Sequence, residues 1–515
     1  MQYPRAKKGE KVVSYKLSVV SKRSGSKSSG SCSTHTFANI KLTIDNVTEI
    51  DNPPINTMFY YKLPHLESFF PHDNKGLPAY TNSNHSSNAR YGSDKSFDRL
   101  QDAASHEDTV TIRYNKLVTE DEVIMADARR TKHSPPHINS YVRAGPRFDL
   151  HYNPREVKAA IVTCGGLCPG LNNVIREITR SLKINYGAEC VYGIVGGFGG
   201  FKRAPMVLTP KIVENIHHSG GTILGASRGG FEKDLICAWL KRFNVNQLYV
   251  IGGDGTHRAA SLIAEECVSQ GLNVAIAGVP KTIDNDVGII DRSFGFNSAV
   301  EEAVIAIRRA KTEAESQSGI GVVKVMGRSS GFIACHAAFA SGDVDLVLIP
   351  EVPIILKGPK GCLPHLFSRV KKKGFAVVVL AEGAGEELLG TSTEVDAGGN
   401  KKLPQIGSFM KSQIDSYLKA HSPDIDIPVK YIDPSYMIRS VAANSYDSFL
   451  CMQLGQNAVH GCMAGFTSFT VGLVNNRMSF LPMSELVKKS PKHIDNKGRT
   501  WERIIQLTLQ PNTID

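Results

Sequence analysis

The chain has 515 residues, of which 41% are hydrophobic and 21% charged. This composition excludes a fibrous or wholly disordered protein, and the length allows roughly two to four domains of about 100–200 residues each. No apolar run approaches the roughly 18 residues that span a bilayer, and no secretory apolar stretch opens the sequence. We therefore expect neither a membrane partner nor secretion.

The formal net charge of +11 suits nucleic acid, an anionic membrane, or small polyanions such as phosphorylated sugars and nucleotides. Residues 1–44 hold nine Lys or Arg residues and one acid, Glu10. Because much of the excess charge lies in this tail, outside the expected fold, we expect no nucleic-acid partner. The ten cysteines show no zinc-type spacing, so we expect reduced, structural thiols.

Residues 1–140 are predicted to be a largely irregular extension, since residues 22–31 and 81–108 are too polar to form a core. Residues 1–44 are Ser-rich and acid-poor, which is the composition of an organelle transit peptide. A flexible basic tail is the alternative interpretation.

From Val157 onward, short apolar runs alternate with helical patterns and end in glycine, which is typical of βαβ units. After the first run, apolar residues fall on one helical face from Leu171 to Leu182. Ligands of such folds gather at the carboxyl ends of parallel strands, so we expect the site in the turns that follow these runs. The predicted strands are 159–163, 248–251, 274–277, 322–325, 346–349 and 375–380.

Gly165 and Gly166 lie in the first of these turns, between a strand and a helix N-terminus. Glycines there let backbone amides approach an anion, and the positive helix end faces it. The turn is therefore a candidate phosphate loop, although two glycines at such a place are equally often structural. No Gly-Lys-Ser/Thr follows, which excludes a Walker A loop.

Acidic residues follow two other predicted strands. Asp254 is flanked by glycines in Ile-Gly-Gly-Asp-Gly-Thr, where its carboxylate can reach a phosphate-bound Mg²⁺. Asp284 and Asp286 occur in Pro-Lys-Thr-Ile-Asp-Asn-Asp, beside Lys281 and Thr282. Phosphoryl transfer needs one carboxylate for the hydroxyl proton, another for the metal, and cations for the moving group. Asp284 is our candidate base; a turn-capping aspartate is the alternative.

These runs, together with four more in the same order, resemble those of phosphofructokinases over residues 143–515. Lys281 and the last of the runs are similar to the plant and protist branch of that family. The additional runs are Gly-Gly-Thr-Ile-Leu-Gly-Ala-Ser-Arg at 220–228, Val-Met-Gly-Arg at 325–328, Ala-Glu-Gly at 381–383 and Tyr-Ile-Asp-Pro-Ser-Tyr-Met-Ile-Arg at 431–439.

The resemblance implies phosphoryl transfer from Mg-ATP to O1 of fructose 6-phosphate, a step of glycolysis. It assigns proton acceptance to Asp284 and Mg²⁺ binding to Asp254. The other residues that it implies for catalysis are Arg228, Lys281, Thr282 and Arg328. Those that it implies for ATP binding are Gly166, Arg228, Gly229, Gly253, Asp254, Gly255 and Thr256.

For the sugar phosphate, the resemblance implies a carboxylate that accepts from hydroxyls, Glu382, and cations that bind phosphate, Arg439 and Lys430. A cation that bacterial members contribute across a subunit interface falls near Gly319, and their 6-phosphate histidine is replaced by Tyr436. Some phosphate contacts must therefore differ from those of the bacterial members. The full implied set is Thr282, Ile283, Asp284, Met326, Gly327, Arg328, Glu382, Lys430, Tyr436, Met437, Ile438 and Arg439.

The family contains both ATP and pyrophosphate users. Pyrophosphate users carry an aspartate where this chain has Gly255, and that aspartate fills the space of an α-phosphate. They also carry lysine at the position of Lys281, so the two signals conflict. We give Gly255 more weight because it removes a steric and electrostatic block, whereas a lysine is compatible with either donor.

Two other hypotheses remain. NAD and lipid kinases also use Gly-Gly-Asp-Gly-Thr, but they do not require the sugar-site runs. A catalytically silent regulatory subunit would have lost the base or the metal acid, and Asp284, Asp254 and Arg228 are all present.

The expected fold is α/β, with two Rossmann-like three-layer α/β/α domains, mostly parallel sheets and an active site in the cleft between them. The predicted boundaries are 141–305 for nucleotide binding, 306–440 for sugar-phosphate binding, and 441–515 for a segment that returns to the first domain. The resemblance further implies allosteric control, a homotetramer and a cytoplasmic location, with the plastid stroma as the alternative.

Overall fold

The computed structural model describes residues 80–81, 117–119, 122–126, 140–390, 394 and 403–514. Most of the predicted extension, 1–140, lies outside the described residues, so its irregularity and its targeting role stay predictions. Within it, Val123–Met125 forms a strand that pairs with the strand Ser140–Arg143. No helix among the described residues is long and apolar enough to cross a bilayer.

The described strands are β1 (Tyr80–Thr81), β2 (Val123–Met125), β3 (Ser140–Arg143), β4 (Asp149–Leu150), β5 (Lys158–Thr163), β6 (Cys190–Ile194), β7 (Met206–Val207), β8 (Gln247–Gly252), β9 (Ala275–Pro280), β10 (Ile320–Val325), β11 (Leu346–Leu348), β12 (Ala376–Ala381), β13 (Val429–Ile432), β14 (Phe469–Val474) and β15 (Arg477–Pro482).

The described α-helices are α1 (Leu171–Arg180), α2 (Lys233–Arg242), α3 (Asp254–Ser269), α4 (Phe296–Ser316), α5 (Phe332–Ser341), α6 (Cys362–Lys373), α7 (Glu386–Leu389), α8 (Ile406–His421), α9 (Ser435–Ser440), α10 (Ser445–Met463), α11 (Met483–Lys488) and α12 (Arg499–Thr508).

Two sheets organise the described residues. The large sheet has the order β2-β3-β15-β14-β9-β8-β5-β6-β7, and the small sheet has the order β11-β12-β10-β13. In the large sheet the strands from β14 to β6 run parallel, while the outer pairs are antiparallel. The small sheet is entirely parallel. The predicted α/β class with mostly parallel sheets is confirmed, and each predicted strand overlaps an observed one.

The central strands are apolar on both sides because helices cover both sides of the sheet. Along β5, Ala159 and Ile161 face one core, while Ala160 and Val162 face another. The first of these cores continues to Val323 of the small sheet. The two sheets therefore share one apolar layer, which fixes the ends of their strands near each other.

The chain leaves the large sheet after β9, builds the small sheet from β10 to β13, and returns with the antiparallel hairpin β14–β15. Sequence patterns did not predict β1 to β4, β6, β7 or β13 to β15. The domain boundaries that we gave stay predictions.

Candidate active site

A cleft of about 510 Å³ opens at the carboxyl ends of strands from both sheets. The loops after β5, β8 and β9 line one half of it, and the loops after β10, β12 and β13 line the other half. We call these the large-sheet half and the small-sheet half. The lining residues are Gly166, Leu167, Arg228, Gly253, Asp254, Lys281, Thr282, Ile283, Asp284, Asp286, Val287, Lys324, Met326, Arg328, Ser329, Glu382, Gln405, Asp433, Ser435, Tyr436, Arg439, Ser490 and Pro491.

Most of the predicted site residues lie in this lining, although they come from seven separate runs of sequence. The predicted residues outside the lining are Gly229, Gly255, Thr256, Gly327, Lys430, Met437 and Ile438. Gly255 and Thr256 lie in the first turn of α3. The Lys430 side chain is exposed on β13, and the Ile438 side chain is buried in the apolar core. The roles of these residues stay predictions.

Cationic side chains lie around the turn after β5. The Gly165 N–H donates to the Ser227 carbonyl at 2.9 Å, which places Arg228 beside the turn. A Cβ atom on Gly166 would lie 3.8 Å from Arg228 Nη2 and 4.0 Å from Arg439 Nη1. Lys281 is buried, and burial lowers its pKa. Three cations thus surround a glycine turn at a helix N-terminus, an arrangement that binds anionic oxygens.

The turn after β8 presents an acid. Asp254 is exposed and begins α3, and the side chain of His257 donates from Nδ1 to the Gly253 carbonyl at 2.9 Å. A Cβ atom on Gly255 would meet nothing within 4 Å. A side chain at this position would therefore project into open space.

The metal-binding capacity of the cleft rests on carboxylates. Burial raises the pKa of Asp286, and the charge of Asp254 raises it further, so the two carboxylates lie near each other. In the described part of the chain, no group of three or more His, Cys, Asp or Glu side chains could hold a metal ion. Two carboxylates fit Mg²⁺, which takes few protein ligands and completes its shell with water and substrate phosphates.

Asp284 lines the cleft, on the loop after β9. Thr282 Oγ1 accepts the Asp284 N–H at 3.2 Å and donates to Asp286 Oδ1 at 2.8 Å, which fixes the loop. Asp284 Oδ1 is buried and has no hydrogen-bond partner among the described residues. Burial, assisted by the negative charges of Asp286 and Glu382, raises the pKa of Asp284 to about 8. Such a carboxyl exchanges protons near neutral pH, as a general base requires.

The small-sheet half is built on a close backbone approach. The Glu382 N–H donates to the Val325 carbonyl at 2.9 Å, and the Gly383 N–H donates to the Gly327 carbonyl at 3.1 Å. A Cβ atom on Gly383 would lie 1.8 Å from the Arg328 carbonyl oxygen, so only glycine fits. This contact places Glu382 and Arg328 side by side.

A C-terminal strap, residues 490–496, connects the two halves. On the large-sheet side, Ser490 Oγ accepts the Gly288 N–H at 2.8 Å, and the Lys492 N–H donates to the Asp286 carbonyl at 2.6 Å. The strap therefore holds the loop that carries the candidate base.

On the small-sheet side, His493 Nδ1 donates to the Ser329 carbonyl at 2.7 Å. The carboxylate of Glu351 accepts the Ile494 N–H at 2.8 Å and the N–H of Gly331 at 3.1 Å. The same strap thus also fixes the loop that follows β10, and both halves of the cleft depend on it.

Sequence reasoning missed several lining residues. Lys324 is a charged residue in an otherwise apolar strand, two residues before Met326. This departure from the apolar pattern could have indicated a site residue. Asp433 lies within the run 431–439, from which only Tyr436 to Arg439 were assigned to the site. Ser490 and Pro491 gave no signal, because their contacts join segments about 200 residues apart.

Comparisons with known proteins agree with the geometry. A family model described as phosphofructokinase matches residues 158–462, more than half of the chain. The chain belongs to the phosphofructokinase family. The resemblance inferred from the motifs is therefore confirmed.

Named relatives extend this result. The ATP-dependent 6-phosphofructokinase 5, chloroplastic, of Arabidopsis thaliana is 47% identical over 404 residues, which cover 78% of this chain and 74% of that protein. The ATP-dependent 6-phosphofructokinase of Amycolatopsis methanolica is 43% identical over 406 residues, 76% of this chain and 88% of that protein. A solved pyrophosphate-dependent phosphofructokinase from Marinobacter aquaeolei aligns with a TM-score of 0.59 and 19% identity, over 68% of this chain and 91% of that one. This last similarity shows the fold alone.

Proposed function

We propose that this chain is an ATP-dependent 6-phosphofructokinase, which transfers the γ-phosphoryl group of Mg-ATP to O1 of fructose 6-phosphate. The observation that carries the proposal is the position of Asp284, whose buried Oδ1 has no hydrogen-bond donor among the described residues, between a cationic turn and Glu382. Named relatives that are more than 40% identical support the same activity.

In this mechanism Asp284 accepts the proton of the 1-hydroxyl as O1 attacks the γ-phosphorus and the bond to the ADP oxygen breaks. Arg228 and Lys281 neutralise the charge on the phosphoryl oxygens, and Arg439 binds the sugar phosphate. Glu382 accepts hydrogen bonds from sugar hydroxyls, and Arg328 lies beside it. The large-sheet half thus binds the nucleotide and the small-sheet half binds the sugar phosphate.

Magnesium is the metal that the carboxylates fit. Asp254 would hold it, and Asp286 lies near. When bound, the ion neutralises negative charge on the β- and γ-phosphates.

Pyrophosphate is the second candidate donor, because Lys281 lies close to the phosphate-type turn: a Cβ atom on Gly165 would be 3.4 Å from Lys281 Nζ. The open space above Gly255 favours the larger nucleotide. A glycine at that position has no carboxylate to repel an α-phosphate.

The decisive experiment measures initial rates of fructose 1,6-bisphosphate formation from fructose 6-phosphate, with either Mg-ATP or Mg-pyrophosphate. Turnover with ATP alone supports the proposal. Turnover with pyrophosphate alone would mean that Lys281 outweighs Gly255. No turnover with either donor would favour a silent regulatory subunit or another kinase class.

The proposal also includes the oligomeric state of the protein and its cellular compartment. The resemblance favours a homotetramer, which native mass spectrometry of the full chain would detect as a species of four protomers. The location is the cytoplasm, with the plastid stroma as the alternative. Mass spectrometry of the natural N-terminus decides between them: retention of Met1 supports the cytoplasm, and a start far downstream supports the plastid.

A further inference from the structure

Lys324 is a cation in a buried strand. It lies near the end of β10, whose other residues are all buried, and its side chain is only 15% exposed. A buried ammonium group is costly unless it is paired. The residue therefore needs a structural or functional reason.

Its partner is Asp433, on the neighbouring parallel strand end. Lys324 Nζ lies 2.6 Å from Asp433 Oδ2, and Val323 is in register with Ile432. The other carboxylate oxygen, Asp433 Oδ1, accepts the Ser435 hydroxyl at 2.6 Å. It also accepts the Ser435 N–H at 3.2 Å. One aspartate thus ties β10 to the first residue of α9.

Helix α9 carries three cleft residues, Ser435, Tyr436 and Arg439. The Arg439 guanidinium lies 4.7 Å from the centre of the Tyr436 ring, and it approaches Gly166 of the opposite half. A shift of α9 would therefore displace the Tyr436 and Arg439 side chains in the cleft.

Lys324 also faces Glu382. Burial raises the pKa of Glu382, while the nearby cations Arg328, Lys324 and Arg439 lower it and the charge of Asp433 raises it. Asp284 is a further acid whose pKa the charge of Glu382 affects. Lys324 is thus one of three cations that favour an ionised Glu382.

We propose that Lys324 and Asp433 form a positioning pair: their ion pair fixes α9 against the end of β10 and keeps Glu382 and Arg439 arranged for the sugar phosphate. The inference rests on the proposed function and assigns two residues to its sugar-binding half. Both act through Glu382, Tyr436 and Arg439 rather than on the transferred phosphoryl group.

The test compares the variants Lys324→Met, Lys324→Arg and Asp433→Asn with the wild type, in full steady-state kinetics with both substrates. Displacement of a substrate-positioning group by about 1 Å lowers the efficiency of an enzyme roughly 10²-fold. Lys324→Met and Asp433→Asn should therefore raise KM for fructose 6-phosphate roughly 10- to 100-fold. KM for Mg-ATP should change less than about twofold, since the nucleotide binds the other half. Lys324→Arg should recover most of the loss, because it keeps the charge.

The pH profile separates positioning from general destabilisation. In Lys324→Met, Glu382 loses a cation, so its pKa rises, and the pH below which KM for fructose 6-phosphate increases should move to higher values. In Asp433→Asn, Glu382 loses a neighbouring negative charge, and this pH should move to lower values. The double variant should raise KM for fructose 6-phosphate little more than either single variant does, because the effects of two residues in direct contact are not additive.

Lys311→Met is the matched control, because Lys311 forms a 2.8 Å ion pair with Asp343 outside the cleft lining. It should leave both KM values unchanged. An unchanged KM for fructose 6-phosphate in Lys324→Met and Asp433→Asn would overturn the inference, as would equal rises for both substrates. If Lys324→Met does not fold, Asp433→Asn and Lys324→Arg decide by the same criteria. A wild type inactive with fructose 6-phosphate would instead overturn the proposed function.

Discussion

The two halves of the cleft treat charge differently. In the large-sheet half, Asp254 is exposed, Asp284 Oδ1 has no donor among the described residues, and the space above Gly255 is open. In the small-sheet half, Lys324 is paired with Asp433, and Glu382 lies among cations. Groups that receive a ligand's protons or metal are kept available, whereas groups that set the shape of a site are paired.

The difference has an energetic cost. A buried carboxylate oxygen without a donor is destabilising, and the structure retains one, Asp284 Oδ1, because the fold around it holds the loop in place. In the other half, Lys324 and Asp433 have partners of opposite charge, and this attraction offsets part of their desolvation cost. The following predictions test this contrast, from the largest expected effect to the smallest.

Replacement of Asp284 by Asn should lower kcat roughly 10²- to 10⁴-fold, since an amide does not accept the hydroxyl proton. The measurement is the initial rate with saturating Mg-ATP and fructose 6-phosphate. Asp424→Asn, an exposed acid outside the cleft lining, is the control and should retain full activity. A rate within about threefold of wild type would exclude Asp284 as the base.

The same residue predicts the pH dependence of the wild type. Its pKa is raised to about 8, and the base acts only when ionised. The value of kcat/KM for fructose 6-phosphate should therefore rise with pH up to about pH 8 and then level off. A profile that is flat between pH 6 and pH 9, measured at fixed ionic strength, would contradict this assignment.

Gly255→Asp should block the nucleotide. Two like charges about 4 Å apart repel by about 4 kcal/mol near a protein surface, so kcat/KM for Mg-ATP should fall roughly 10²-fold or more. Gly255→Ala is the matched control and should have a small effect, because a Cβ atom there meets nothing. Equal losses in the two variants would show that charge at this position does not select the donor.

Gly383→Ala should disturb the small-sheet half through packing alone. The added Cβ atom would lie 1.8 Å from the Arg328 carbonyl oxygen, so that loop must move. Overpacking of this kind costs about 1–3 kcal/mol, which the shift of the urea midpoint measures. Gly199→Ala, where a Cβ atom has open space, should leave the midpoint unchanged.

The smallest effect concerns stability. The pKa of Asp284 rises from its ordinary value of 3.8 to about 8 on folding, so the ionised form destabilises the fold. This cost is absent below pH 3.8, grows as the pH rises, and is complete above pH 8. Asp284→Asn should therefore raise the Tm by a few degrees at pH 9 and by less at pH 5. A lower Tm at pH 9 would mean that the carboxylate is stabilised by contacts.

The sequence predicted the parts of the site that depend only on short stretches of the chain. Gly165, Asp254 and Asp284 each follow an apolar run, and their loops sit at strand ends as expected. Lys430 was expected to supply a cation to the sugar phosphate, yet its side chain lies outside the lining, and Lys324 lies within it. Position within a motif does not specify the direction of a side chain, which depends on the pairing of neighbouring strands.

The sequence by itself determined the α/β class, six strands of the two sheets, the loops that carry the acids and the family. These follow from short-range patterns: apolar runs, glycine turns and acids at fixed spacing. Only the tertiary structure decided that Lys324 pairs with Asp433, that the strap holds both halves of the cleft, and that Asp284 is buried among other acids. These features depend on contacts between segments far apart in the chain, which the packing of two sheets through a shared core brings together.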